Sequence, residues 1–199
     1  MNDGEAITGA ILAGGRGSRM GGIDKGLAPL GDKPLIEHIL AALGPQVTHL
    51  LINANRNIDR YAEYGHPVVK DRLDGHQGPL AGFAALLGAC VDDWLVTVPC
   101  DTPHIPADLV QRMWSARVDA GAEIAIAHDG RRMQPAHALL PRRLLSDLEA
   151  FLDSGERKID RWYARHRLAV VQFDDVPGWF QNVNSPEEHA ELEAATPWN

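Results

Sequence analysis

The 199-residue chain is poor in cysteine: Cys90 and Cys100 are its only two, and they make neither a disulfide framework nor a metal-ligand set. That usage suits a reducing compartment. Positive charge is also short, with 19 Lys and Arg against 27 Asp and Glu and a formal net charge of −8. A nucleic-acid or anionic-membrane surface needs a basic face, so the charge balance excludes both as general partners. A phosphate-bearing ligand would have to sit on a local basic patch. No apolar run is long enough to span a bilayer, and no N-terminal stretch joins a basic region to an apolar run and a cleavage site. The expected location is the cytoplasm. Internal repeats and low-complexity segments are absent too. What is present, 45% hydrophobic and 23% charged residues, suffices for one domain with a sizeable core.

An apolar run at residues 6–13 feeds into Leu12-Ala13-Gly14-Gly15-Arg16-Gly17-Ser18-Arg19-Met20-Gly21-Gly22-Ile23-Asp24-Lys25. Five glycines let successive N–H groups turn inward around an anion, and Arg16, Arg19 and Lys25 supply charge for phosphate oxygens. This reads as a phosphate-binding loop. It is not the G-x-x-x-x-G-K-[S/T] loop, because Ser18-Arg19 follows Gly17. Nor is it the dinucleotide fingerprint, since no helix opens inside it.

Hydrophobic periodicity predicts strands at residues 7–12, 47–55, 67–69 and 94–99. Between and after them it predicts helices at 35–43 (opened by Pro34), 58–64, 79–91 and 106–119 (opened by Pro106). Then the rhythm changes. Runs at 123–128 and 133–140 flank Asp129-Gly130, a hairpin signal. Helices at 142–154 and 158–165, a strand at 168–173 and a helix from Pro186, capped by Ser185, complete the chain. Strands alternating with helices predict an α/β fold: a Rossmann-like three-layer sandwich, with a mostly parallel, mixed sheet between helices.

In such a sheet, ligands bind beyond the carboxyl ends of the strands. The glycine loop follows the first strand, Asn53 and Asn55 end the second, Asp71 follows the third and Asp101 the fourth. A carboxylate directly after an apolar strand needs a partner. For Asp101 that partner is a hard divalent cation such as Mg²⁺, held jointly with phosphates, or else a helix cap or turn. Asn53 both donates and accepts, which suits the edge of a nucleobase. Asp71 suits base, ribose or metal, or a plain turn. Lys25 and Arg19 would neutralise charge building up on phosphates during transfer.

Leu12-Ala13-Gly14-Gly15, Arg19-Met20-Gly21-Gly22 and Asp24-Lys25-Gly26 resemble nucleotidyltransferases that activate small molecules with a nucleoside triphosphate. Asn53-Ala54-Asn55-Arg56, Gly78-Pro79-Leu80-Ala81-Gly82, Pro99-Cys100-Asp101-Thr102-Pro103 and Asn182-Val183-Asn184-Ser185-Pro186-Glu187-Glu188 narrow the likeness to the molybdenum cofactor guanylyltransferases. It runs from about Ile7 to Leu192, departing only in the variable Arg16-Gly17-Ser18. The resemblance implies a nucleotidyltransferase fold. It implies transfer of GMP from Mg-GTP to the terminal phosphate of molybdenum-molybdopterin, with release of pyrophosphate.

The resemblance also implies GTP contacts at Leu12, Ala13, Gly14, Gly15, Lys25, Asn53, Asp71 and Asp101, with Asp101 the metal ligand. Lys25, Arg19 and Asp101 are the implied catalytic residues, Gly22 matches a further motif position, and Gly78, Gly82, Asn182 and Asn184 fall on the pterin side. Residues of about 6–105 would then bind nucleotide and those of about 106–195 the pterin. Implied protein partners are other molybdenum-cofactor biosynthesis proteins and molybdoenzyme chaperones. The competing readings are a cytidylyltransferase acting on the same pterin, a sugar-phosphate nucleotidyltransferase and a non-enzymatic nucleotide carrier. The nine histidines lack metal-ligand spacing and read as surface or incidental, with His104 and His137 the two to watch. Arg157, Lys158 and Arg161 are either a contact for pterin phosphate or a solvated face.

Overall fold

Strand β1 (Ile7–Leu12) is buried almost from end to end because it has a neighbour on each side and helices on both faces. Those neighbours are β4 (His49–Asn53) and β6 (Trp94–Pro99), both parallel to it. A computed structural model describes residues 5–15, 24–71, 78–175, 178, 180–183 and 188. Within them a seven-stranded sheet runs in the order β5-β4-β1-β6-β8-β7-β9. Here β5 is Val68–Val69, β7 is Ile124–His128, β8 is Met133–Pro141 and β9 is Leu168–Gln172. Strand β8 lies antiparallel to both β6 and β7, whereas β9 runs parallel to β7. The sheet is therefore mixed, as the Asp129-Gly130 hairpin signal predicted.

Each face of the sheet carries its own core. On one side Ile7, Ile11, Val96 and Val98 pack against α1 (Leu35–Leu43) through Ile36, Ile39 and Leu43, and against α4 (Leu109–Asp119) through Leu109, Val110 and Met113. Tyr61 of α2 (Ile58–Ala62) joins this side. On the other side Ala10, Leu95, Ile126 and Leu140 meet α3 (Pro79–Ala89), α5 (Leu145–Asp153) and α6 (Ile159–Tyr163). The layers are thus helix, sheet and helix. Helix α3 is apolar on every side, with Leu80 to Leu87 all buried, so it is wedged between sheet and α5 rather than laid on the surface.

Local departures from the predicted elements have simple causes. Pro34 stands at the cap of α1, which starts at Leu35 as predicted, but it also ends a short antiparallel ladder of β2 (Pro29–Leu30) and β3 (Lys33–Pro34) that periodicity did not show. Pro106 stands three residues ahead of α4, its carbonyl accepting the Leu109 N–H at 3.1 Å. The second strand runs only to Asn53, and Asn55 beyond it bonds Gly14 and Asp71 at the sheet end. The helix expected from Pro186 lies outside the described residues, Glu188 excepted.

Candidate functional site

The ladders of β1 with its two neighbours each run one hydrogen bond past the strands. Ala13 N–H donates to the Asn53 carbonyl at 2.7 Å, and Cys100 N–H donates to the Leu12 carbonyl at 3.0 Å. The next residues, Gly14 after β1 and Asp101 after β6, therefore emerge at the same sheet end. A cleft of about 270 Å³ opens there. It is lined by Leu12, Gly14 and Gly15, by Asn53 and Asp71, by Gly78, Pro79 and Gly82 of α3 and its approach, and by Pro99 and Ala136. The amino end of α3, eleven residues long, opens on this cleft and supplies the positive pole of its dipole.

Asn53 organises one half of the site. Its Nδ2 donates to the Val69 carbonyl at 3.1 Å and to Asp71 Oδ1 at 2.8 Å, which leaves Oδ1 as an acceptor. Asn55 grips the other Asp71 oxygen at 2.8 Å and accepts the Asp71 N–H at 2.9 Å. The same Asn55 amide reaches the Gly14 carbonyl at 3.3 Å, and Arg56 reaches the Gly15 carbonyl at 3.2 Å. Glycine is required at two of these contacts. A Cβ at Gly14 would lie 2.9 Å from Asn53 Oδ1 and from Asn55 Nδ2, and one at Gly82 would lie 2.8 Å from Asn53 Oδ1.

The other half is an ion pair. Lys25 Nζ donates to Asp101 Oδ2 at 3.1 Å, with both side chains about one-fifth exposed. Partial shelter makes the attraction stronger than at the surface, yet leaves both groups open to a ligand. The Val183 N–H donates to the Asp101 carbonyl at 2.8 Å, so the segment bearing Asn182 is tied to this turn. Val183 also packs with Ala28, Leu30 and Leu35, just beyond the Lys25 turn. Behind Asp101, Thr102 Oγ1 lies 3.0 Å from His137 Nε2 and donates to the Pro99 carbonyl at 3.1 Å.

His137, one of the two histidines set apart in the sequence, lies in the core and not at the surface. It is 1% exposed, its Nδ1 has no partner, and burial lowers its pKa to about 3. It is a neutral core residue edge-on to Phe180. Burial, helped by His38, also lowers the pKa of His104. The Arg157 group faces inward in part: Arg157 donates to the Leu152 and Glu156 carbonyls, and Arg161 pairs with Glu156 at 2.7 Å.

Of the residues singled out in the sequence, Leu12, Gly14, Gly15, Asn53, Asp71, Gly78 and Gly82 line one cleft. Ala13 is the last residue in the β1–β4 ladder, and Lys25 and Asp101 pair with each other. Arg19, Gly22 and Asn184 lie outside the described residues. Asn55 was legible as a polar residue at a strand end, and Arg56 only as a member of a quoted motif. Asp24, Asn57 and Tyr61 were missed as a group. Asp24, buried beside Lys25, accepts from Asn57 at 2.9 Å and from Tyr61 at 2.5 Å.

Among the described residues no three His, Cys, Asp or Glu side chains converge as a metal site, and no helix is long and apolar enough to cross a membrane. Among the described residues the donor set at Asp101 is one hard carboxylate, at the sheet end on which the cleft opens. That fits a magnesium-like ion, which keeps waters and takes one or two carboxylates plus substrate phosphates, and does not fit a caged transition metal.

The model of the MobA-like NTP transferase domain matches residues 9–170. A molybdenum cofactor guanylyltransferase of Shewanella loihica is 51% identical over 189 residues, which is 95% of this chain and 96% of that one. The fold matches that of molybdopterin-guanine dinucleotide biosynthesis protein A of Archaeoglobus fulgidus, with a TM-score of 0.78 at 23% identity over 94% of this chain and 97% of that one. A Mycobacterium tuberculosis protein solved in complex with manganese superposes with a TM-score of 0.67 at 16% identity, over 96% of this chain and 100% of that one.

Proposed function

The chain belongs to the family of MobA-like NTP transferase domains, and from that premise we propose that it transfers GMP from Mg-GTP to the terminal phosphate of molybdenum-molybdopterin. Pyrophosphate leaves, and the product is the guanine dinucleotide form of the cofactor. The observation that carries this reading is the convergence of the Lys25–Asp101 pair and the Gly14–Asn53–Asp71 network on the same sheet end. The relatives named guanylyltransferases favour it over the cytidylyl and sugar-phosphate alternatives.

The acceptor phosphate is ionised at neutral pH, so the reaction needs no protein nucleophile and no strong base. The chain's task is to align two phosphates and balance their charge. Backbone at Leu12, Ala13, Gly14 and Gly15 would cradle the triphosphate, aided by the amino end of α3. Asn53 and Asp71, locked together, would present acceptors to base and ribose. Lys25, and Arg19 from the loop, would neutralise the charge of the departing pyrophosphate. Asp101 would hold Mg²⁺ together with the phosphates; bound there, the cation supplies further neutralisation of phosphate charge. Gly78, Gly82, Asn182 and Asn184 would shape the pterin side. Cytoplasmic cofactor-assembly proteins and molybdoenzyme chaperones would be its protein partners.

The test is turnover with labelled GTP or CTP, Mg²⁺ and molybdenum-molybdopterin. Pyrophosphate release with GTP is expected, and turnover of CTP without GTP would overturn the reading. Asp101→Ala should lower the rate on the order of a hundredfold or more. Metal-dependent release that persists unchanged in this variant would remove Asp101 from its role.

A further inference from the structure

The turn that carries Lys25 stands on a buried acid. Asp24 is 8% exposed, and each of its carboxylate oxygens has a protein donor: Tyr61 Oη at 2.5 Å on Oδ1 and Asn57 Nδ2 at 2.9 Å on Oδ2. Both donors come from α2 and the residue before it, an element that does not line the cleft. Tyr61 itself is fully buried, and the fit around its hydroxyl is tight. A Cβ on Gly26 would lie 2.5 Å from that oxygen, so the residue after Lys25 rests directly on the tyrosine. The backbone is pinned as well: the Asp24 and Lys25 carbonyls accept the Leu27 and Ala28 N–H groups at 3.1 and 3.0 Å. Asn57 takes up the left-handed conformation, φ 49°, on the way to α2, and its side chain then reaches Asp24. A non-glycine residue in that region is held there by its surroundings.

We propose that Asp24 and Tyr61 are a positioning pair for Lys25, fixing the ammonium group against Asp101 at the sheet end where the cleft opens. The proposal rests on Lys25 acting on the triphosphate. Its physical basis is that a lysine side chain has four rotatable bonds, so its placement over a ligand depends on how rigidly its Cα is held. A carboxylate with both oxygens bonded inside the core is such an anchor. The tyrosine is a dependable donor, since burial, the Cys100 thiol and Asp24 all push its pKa far above the ordinary range. Cys100 adjoins Asp101 in sequence, so both ends of the ion pair are built against the same tyrosine.

A merely structural Tyr61 would hold α2 on the core and affect turnover only through folding. The two roles separate in a double-mutant cycle of Tyr61→Phe with Lys25→Ala, read by kcat, by the Kd for Mg-GTP and by Tm. Tyr61→Phe removes one oxygen and keeps the ring in the core. We expect it to weaken, by about fivefold, whichever of kcat and Kd responds to Lys25→Ala, and to change that quantity by less than about twofold once Lys25 is gone. Its effect on Tm should be the same in both backgrounds. Asp24→Asn, which keeps the shape of the anchor, should repeat the pattern. Equal fold-losses with and without Lys25 would overturn the proposal, as would a Tyr61→Phe enzyme that loses only stability. If Lys25→Ala itself left kcat and Kd intact, the role of Lys25 would fall, and the positioning role with it.

Discussion

Asn53 shows how narrowly a single side chain can be specified. Both its amide hydrogens are committed to protein acceptors, Val69 and Asp71, and only Oδ1 faces glycine and cleft. Asn53→Asp changes one atom and inverts the site. It sets a second carboxylate against Asp71, at a separation now spanned by a 2.8 Å hydrogen bond. One of two such neighbours must take up a proton or both are strained. We expect this variant to lose about 1–3 kcal/mol of stability at pH 8 and less at pH 5, where a shared proton restores the hydrogen bond. Thermal melts at the two pH values check it, and an equal loss at both would refute it. Asn53, Asp71 and Asp101 were legible because polar groups at strand ends are informative by position alone. Tyr61 was not. An aromatic in a short helix reads as core, and its hydroxyl finds Asp24 only once the chain has folded across 37 residues.

At the scale of elements, the approach of α3 to the sheet depends on what its glycine lacks. A methyl at Gly82 would lie 2.8 Å from Asn53 Oδ1 and 2.9 Å from Leu12 Cδ2, both on rigid strands. Gly82→Ala must therefore lift α3 or displace Asn53, at a cost of about 1–3 kcal/mol, and weaken nucleotide binding with it. Gly15 is the control: no described residue lies within 4 Å of its missing Cβ, so Gly15→Ala should leave Tm unchanged. Denaturation curves and GTP titrations on both variants decide the matter, and equal stability losses would contradict it. The long elements were readable, since α1 and β6 fall at residues 35–43 and 94–99, where their periodicity and punctuation placed them. The ladder of β2 with β3 was not, because two-residue strands have no period and Pro34 also resembles a helix start.

At the scale of the whole molecule, the most strongly shifted histidine among the described residues is a pH-sensitive liability in the core. His137 sits in β8 with a pKa lowered to about 3 by burial, against an ordinary value of 6.5. Between those values the unfolded chain binds the proton and the folded chain does not. Stability is therefore full above about pH 6.5 and falls as the solution is acidified, by up to about 1.4 kcal/mol per pH unit. Melting temperatures from pH 7 to 4.5 should fall less steeply in His137→Leu, where Thr102 keeps its bond to Pro99. An unchanged slope would refute the assignment. The mixed sheet was predictable from the change of rhythm after residue 120, whereas the partners of a lone strand histidine were not, since they come from the 102 turn and Phe180. The sheet order has a further consequence for how the protein is made. Strand β1 leaves the ribosome before its partners, yet its second edge is closed only by β6, which emerges some eighty residues later, and β6 in turn waits for β8. Until β4 emerges the apolar β1 is unpaired on both edges, and from then until β6 it is half-paired. Slow translation or a nascent-chain chaperone would bear on the yield of this protein more than the stability of its finished state does.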